Sequence, residues 1–345
     1  MSFKKLNFSS ISGINLASSI KFNNSNIILF GDQHFSLDGY CKNKDSVELL
    51  DLLKYIFKNT NKRIDFFTET NFRFTQRDID NDLYFFVKTK INQFKTKTYM
   101  SIVEKYFQSI GCLTNLQQDK EYCKKIYPNI YFYPGDLRHS KLKEIKYYEV
   151  IRKKVYRKDY FSKDLHKIIK NINTASKLKK HIKENIDNRF INKYYSKLNN
   201  KNKKCIDKYI SIFFKEDGNI VDYINPLSSK DYNEAVKKYL SYYNDQSKIK
   251  VYRDFYNTLN IIKDFYTNLQ TVVMDVYILS HLLYLEQSNK SNNFILYGGS
   301  THIKNYLYFF ENICNVNVND IEYGKAIKKR CIKVNKMISS INKLL

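Results

Sequence analysis

Four short apolar runs, each stopping abruptly in small or polar residues, constrain the fold more than any other feature of this chain. Ile27-Ile28-Leu29-Phe30 runs into Gly31-Asp32-Gln33-His34, and Ile64-Asp65-Phe66-Phe67 into Thr68-Glu69-Thr70-Asn71. Ile130-Tyr131-Phe132-Tyr133 runs into Pro134-Gly135-Asp136-Leu137-Arg138-His139, and Phe294-Ile295-Leu296-Tyr297 into Gly298-Gly299-Ser300-Thr301-His302. Continuous rather than alternating apolar character marks strands covered on both faces, as in a parallel sheet. A fifth, weaker strand is expected between Ile14 and Phe22.

Helical periodicity fills the space between these runs. Val47, Leu49, Leu50, Leu52, Leu53 and Ile56 fall on one helix face, with Asp45 as the expected N-cap. Residues 79–125 read as two or three helices, and 140–210 as long, basic, tyrosine-rich ones. From Tyr252, Phe255, Tyr256 and Leu259 onward an i, i+3, i+4 stripe continues through Ile262, Phe265, Tyr266, Leu269, Val273, Val276, Leu279 and Leu283, which reads as core packing. The expected fold is α/β: a mostly parallel sheet of at least four strands flanked by helices, with a large basic α-helical insertion between the third and fourth of these strands. That places the first part of the α/β core in 1–139, the insertion in 140–228, and long helices with the return to the core in 229–345.

Composition bounds the partners. The chain has 345 residues, enough for one large domain or two ordinary ones, and 43% hydrophobic residues argue against global disorder. The net charge is +25, almost all of the excess carried by lysine. Abundant Lys, Asn, Ile, Tyr and Phe beside absent Trp and scarce Pro and Gly is the composition that an AT-rich coding sequence produces. Codon bias can supply part of the lysine load but does not force an excess over acids, and the excess is localised: residues 140–210 hold 22 basic and 7 acidic side chains, +15 of the +25. Such a block suits a polyanion, a membrane surface or nucleic acid, beside the plain alternative of a solvated face, and lysine in place of arginine argues against base-specific readout. No run approaches the ~18 apolar residues of a membrane span.

The six cysteines, at 41, 112, 123, 205, 314 and 331, show no C-x2-C or C-x4-C spacing, so no zinc knuckle is expected. With no apolar segment after Met1-Ser2-Phe3-Lys4-Lys5, they read as reduced thiols of a cytoplasmic or virion-associated protein that is not secreted.

The chemistry-bearing residues cluster where the expected strands end. Ligands of open parallel sheets sit beyond the carboxyl ends of the strands, where the connecting loops form a crevice. Parallel neighbours would bring Asp32 and His34, Glu69, Asp136, Arg138 and His139, and His302 to one cleft. Imidazoles, carboxylates and a guanidinium together suit acid/base or metal-assisted chemistry. Gly-x-x-His occurs twice, as Gly31-Asp32-Gln33-His34 and Gly299-Ser300-Thr301-His302, each directly after a strand. A glycine there permits close backbone approach.

This set resembles the motifs shared by erythromycin esterases, ChaN-like haem-uptake lipoproteins and TraB/Tiki proteins: a first strand ending in Gly-x-x-His, a glutamate after the second, a central arginine and a histidine after a late strand. The resemblance covers roughly 30 residues, and Asp32 stands where several members have Glu. It implies hydrolysis of an ester or amide bond in a small molecule or peptide, with His34, Glu69, Arg138 and His302 catalytic. His34, Glu69 and His302 are then the expected ligands of any divalent metal (Mn2+ or Zn2+), since one branch is described as metal-dependent and another needs no metal. Asp32, Asp136, His139 and Asp275 are expected to bind substrate or support the catalytic groups. The composition also resembles uncharacterised proteins of large DNA viruses.

Each candidate has a structural alternative. Glu69, with Thr70 and Asn71, could cap a helix, and His302 could cap the helix that follows it. Arg138 could pair with Asp136 or Glu69. His166 and His181 are expected to be solvated, and a buried Asp275 would need a partner. Two other functions compete: a non-catalytic polyanion-binding protein on the same fold, and a metallophosphoesterase, for which Asp32-Gln33-His34 fits the opening but the Asn-His-Asp/Glu and Gly-His-x-His elements are missing. No phosphate loop, Gly-x-Gly-x-x-Gly, Gly-x-Ser-x-Gly or His-Glu-x-x-His is present.

Overall fold

The computed structural model describes residues 6, 8–32, 41, 45–69, 99–113, 117–135, 151, 154–155, 159–187, 189–214, 228–249, 251–323, 331–334 and 336–345. The chain is mixed α/β and divides into two compact units, Met1–Leu137 with Leu285–Leu345, and Arg138–Tyr284. The second unit takes in both the basic block and most of the long helices that follow it.

In the first unit the apolar runs form β3 (Ser25–Asp32), β5 (Ile64–Thr68), β6 (Ile130–Pro134) and β7 (Asn293–Gly299). They join β2 (Leu16–Phe22) and β8 (Val318–Tyr323) in one sheet of order β6-β5-β7-β3-β2-β8. The pairs β3–β7, β7–β5 and β5–β6 are parallel, while β2 runs antiparallel to β3 and β8. Every residue of β7 is buried, which is why its sequence shows no alternation. Ile28, Phe30, Phe66, Ile295 and Tyr297, alternate residues of three strands, pack with α1 (Leu49–Asn59) and α2 (Tyr99–Ser109). Phe57, Phe66, Phe107 and Phe132 form an aromatic cluster there, with ring centroids 5.1–5.7 Å apart. α3 (Gln117–Ile126) precedes β6.

Asp45 does not cap α1. Ser46–Glu48 is instead a short strand, β4, paired with β1 (Ser10–Ser12), which also pairs with β9 (Cys331–Lys333). The helix therefore begins at Leu49, and Glu48 caps it without a side-chain hydrogen bond. β-pairing overrides local capping chemistry here.

The expectation of six reduced thiols is also overturned. Cys112 is bonded to Cys123 and Cys41 to Cys331, and Cys205 and Cys314 stand outside both bridges as thiols. The second bridge follows from β-register: Cys331 lies opposite Ser12, and Ser12 Oγ accepts the Cys41 N–H at 3.0 Å. Cysteines 290 positions apart thus meet across one strand pair, which spacing alone does not reveal. The argument for a reducing compartment does not hold for these four.

The second unit is helical. It contains α4 (Lys163–Asn171), α5 (Ala175–Ile186), α6 (Arg189–Tyr195), α7 (Asn200–Phe214), α8 (Ser229–Asn244) and nearly all of α9 (Tyr252–Gln287), a single 36-residue helix. The apolar stripe of α9 is core from Phe255 to Leu283, whereas Tyr252 and Tyr256 at its first turns are exposed. A capping box, Ser228 with Asp231, starts α8. His166 is not solvated as expected: its ring stacks on Tyr243 at 3.7 Å. Among the described residues no helix is long and apolar enough to cross a membrane.

Candidate active site

Parallel pairing sets the geometry of the strand ends. Asp32 pairs with Gly299, and Thr68 with both Tyr297 and Pro134, so four chain segments finish along one edge of the sheet. α10 (Ser300–Tyr308) springs directly from β7 at that edge. Gly31 is needed there: a Cβ on it would lie 3.0 Å from Leu16 Cβ and 3.3 Å from Ser300 Cα. The closeness of β2, β3 and the start of α10 depends on that missing side chain.

Glu69 and His302 meet at this edge. Glu69, 6% exposed, is fixed at its backbone by donating to Tyr297 O at 3.1 Å. Its Oε2 accepts the Gly299 N–H at 2.6 Å, at the N-terminus of α10, where the helix dipole favours negative charge. Its other oxygen, Oε1, lies 3.6 Å from His302 Nε2, an ion-pair distance when the imidazole is protonated. His302 is itself 8% exposed. Asp32 is fully buried, and its Oδ2 accepts the Met100 N–H of α2 at 3.0 Å. Both carboxylates thus serve helix N-termini, so the capping alternative foreseen for Glu69 is realised, though on α10. What capping does not account for is the second Glu69 oxygen turned toward an imidazole.

Two further groups at the edge were missed by sequence reasoning. Ser300 Oγ donates to Asn15 Oδ1 at 2.5 Å, tying the first residue of α10 to the segment before β2. Thr68, 1% exposed, carries a hydroxyl that no described residue satisfies. Neither residue type stands out in a chain rich in Ser and Asn, and only the strand register identifies them.

His34, Asp136, Arg138 and His139 lie outside the described residues. Asp275 belongs to the second unit, where it is fully buried and accepts the Tyr209 hydroxyl at 2.8 Å, the partner its burial demands. Near it in sequence, His281 stacks on Tyr194 at 3.7 Å, and burial reinforced by the Lys193 charge lowers its pKa to about 3. A cavity of about 530 Å3 in that unit is lined by Lys183, Asp187, Tyr195, Asp207 and Phe214, none of them a strand-end residue.

The described donors do not by themselves fit a metal. Glu69 and His302 supply two ligands where a catalytic zinc takes three, and among the described residues no group of three His, Cys, Asp or Glu is placed to hold an ion. No family model, curated protein or solved structure matches the chain.

Proposed function

We propose that the chain is a hydrolase of ester or amide bonds acting at the strand-end edge of the first unit. In this reading its fold is a mostly parallel sheet interrupted by a basic helical insertion, akin to the erythromycin esterase, ChaN-like and TraB/Tiki group. The observation that carries the reading is the approach of Glu69 Oε1 to His302 Nε2, two groups 233 positions apart delivered by neighbouring parallel strands. The Thr68 hydroxyl at the same edge, unsatisfied among the described residues, supports it, because a buried polar group with no partner there has room for a ligand or water.

The roles follow from the chemistry of each group. His34 takes a proton from water as the oxygen attacks the carbonyl carbon. Arg138 holds the developing oxyanion or an anionic group of the substrate. His302, oriented by Glu69, delivers a proton to the leaving alkoxide or amine as the carbon–oxygen or carbon–nitrogen bond breaks. Glu69 is itself held by the Gly299 N–H and does not swing with each turnover. General acid/base groups contribute about 10²–10⁴-fold in rate. The test is a screen of ester, amide and phosphoester substrates, followed by His34→Ala on any substrate turned over. Loss of at least about 10²-fold, with an unchanged melting curve, is expected. Activity on phosphoesters alone, or full turnover by His34→Ala, overturns the assignment.

A further inference from the structure

The basic helices of the second unit are organised beyond their composition. α4 buries Leu165, Ile168 and Ile169, and α5 buries Ala175, Leu178 and Ile182. Both helices pack on α8. The short link between them is pinned to α8 twice: Tyr232 Oη donates to Ile172 O at 2.7 Å, and Asn233 Oδ1 accepts the Ala175 N–H at 2.7 Å. Both helices thus rest on α8, each with its buried stripe inward and its opposite face in solvent.

Lys163, Lys167 and Lys170 recur at i, i+4 and i+7 on α4, and Lys177 and Lys180 follow on α5; all five are exposed. At 100° per residue each set lies opposite its helix's buried stripe. The α4 lysines span about 10 Å along the helix axis. None of the five forms an ion pair with a described acid, in contrast to Lys54, Lys154, Lys248 and Lys263. Glu184, exposed and one turn beyond Lys180, shares this outer side of α5, and Asp164 is exposed at the start of α4, so acids dilute the lysine charge without pairing with it. The exposed large hydrophobics, Tyr122, Tyr131, Val251, Tyr252 and Tyr256, all lie on other segments.

We propose that this lysine face docks the phosphate backbone of double-stranded nucleic acid without reading its sequence. Regularly spaced point charges on two helices anchored to one floor suit a regular polyphosphate. Among the described residues the face has no arginine fork for base edges and no aromatic ring for unstacked bases. Nor do the described residues put on it the exposed apolar side chains with which a surface helix anchors in a bilayer.

The experiment measures binding of the full chain to a random-sequence DNA duplex by fluorescence anisotropy across salt. Five engaged phosphates give a slope of log K against log salt near −4.5, hence about 500-fold weaker binding at 200 mM than at 50 mM. Changing Lys163, Lys167, Lys170, Lys177 and Lys180 to Gln should bring the slope close to zero. The same change at five exposed lysines elsewhere, Lys58, Lys125, Lys237, Lys238 and Lys336, should leave it nearly intact. Melting curves show that both variants fold, and Lys→Gln at 163, 167 and 170 alone gives a smaller drop if the full set does not. Equal loss in both sets, no binding at about 50 mM salt, or binding to phosphatidylserine vesicles in place of DNA overturns the proposal.

Discussion

Replacing Glu69 tests whether its carboxylate is the joint between β5 and α10. In Glu69→Ala the Gly299 N–H, which now donates to Oε2 at 2.6 Å, is left buried without an acceptor. A stranded buried donor costs about 1–3 kcal/mol, and loss of a negative charge at a helix N-terminus adds about 0.3–1 kcal/mol. The expected destabilisation is therefore about 1.3–4 kcal/mol, a fall in Tm of roughly 3–16 °C for a unit of this size. Glu69→Gln keeps an acceptor oxygen for Gly299 and gives up only the charge, so it should cost about 1 kcal/mol. Differential scanning fluorimetry with urea titration reads both. Equal losses in the two variants, or a loss under about 1 kcal/mol for alanine, would show that Gly299 does not depend on this carboxylate.

Other perturbations follow from the same geometry. Gly31→Ala places a methyl 3.0 Å from Leu16 Cβ and 3.3 Å from Ser300 Cα. It should destabilise by about 1–3 kcal/mol in urea titration, since the backbone must shift to admit it. Alkylation of the unreduced, denatured chain should label Cys205 and Cys314 alone, and labelling of all six would contradict the bridges. Reduction should lower stability by about 3 kcal/mol through Cys112–Cys123 and up to about 5 through Cys41–Cys331, the longer loop losing more chain entropy when closed. His281 stays neutral in the folded chain down to about pH 3, whereas its unfolded counterpart protonates near 6.5. Stability should therefore fall as pH drops from 6.5 towards 3, by at most about 1.4 kcal/mol per pH unit. His281→Phe, which retains the stack on Tyr194, should remove that part of the slope.

The strands were legible because burial on both faces writes itself as an unbroken apolar run, and Phe294–Tyr297 is the clearest case. The stripe from Phe255 to Leu283 was legible for the corresponding helical reason. Pairing partners were not. Ser46–Glu48 is too short to show a period, and only its alignment with Ser10–Ser12 makes it a strand. The bridges stayed hidden because Cys41 meets Cys331 through the register of β1 and β9. At the site, Glu69 and His302 could be named from the residues beside the strands. Their dependence on Gly299 and Tyr297 could not, because backbone donors and acceptors carry no sequence signature.

The central claim is that Glu69 and His302 act as one catalytic pair, and a double-mutant cycle on hydrolysis measures it most directly. kcat/KM is compared for the wild type, Glu69→Gln, His302→Ala and the double variant, on the substrate turned over best, with each protein shown to be folded at assay temperature. Each single change should cost about 10²–10⁴-fold, and the double variant should be no slower than the worse single one, since breaking either half disables the pair. Losses that multiply, or a His302→Ala variant that hydrolyses at the wild-type rate, would contradict the account.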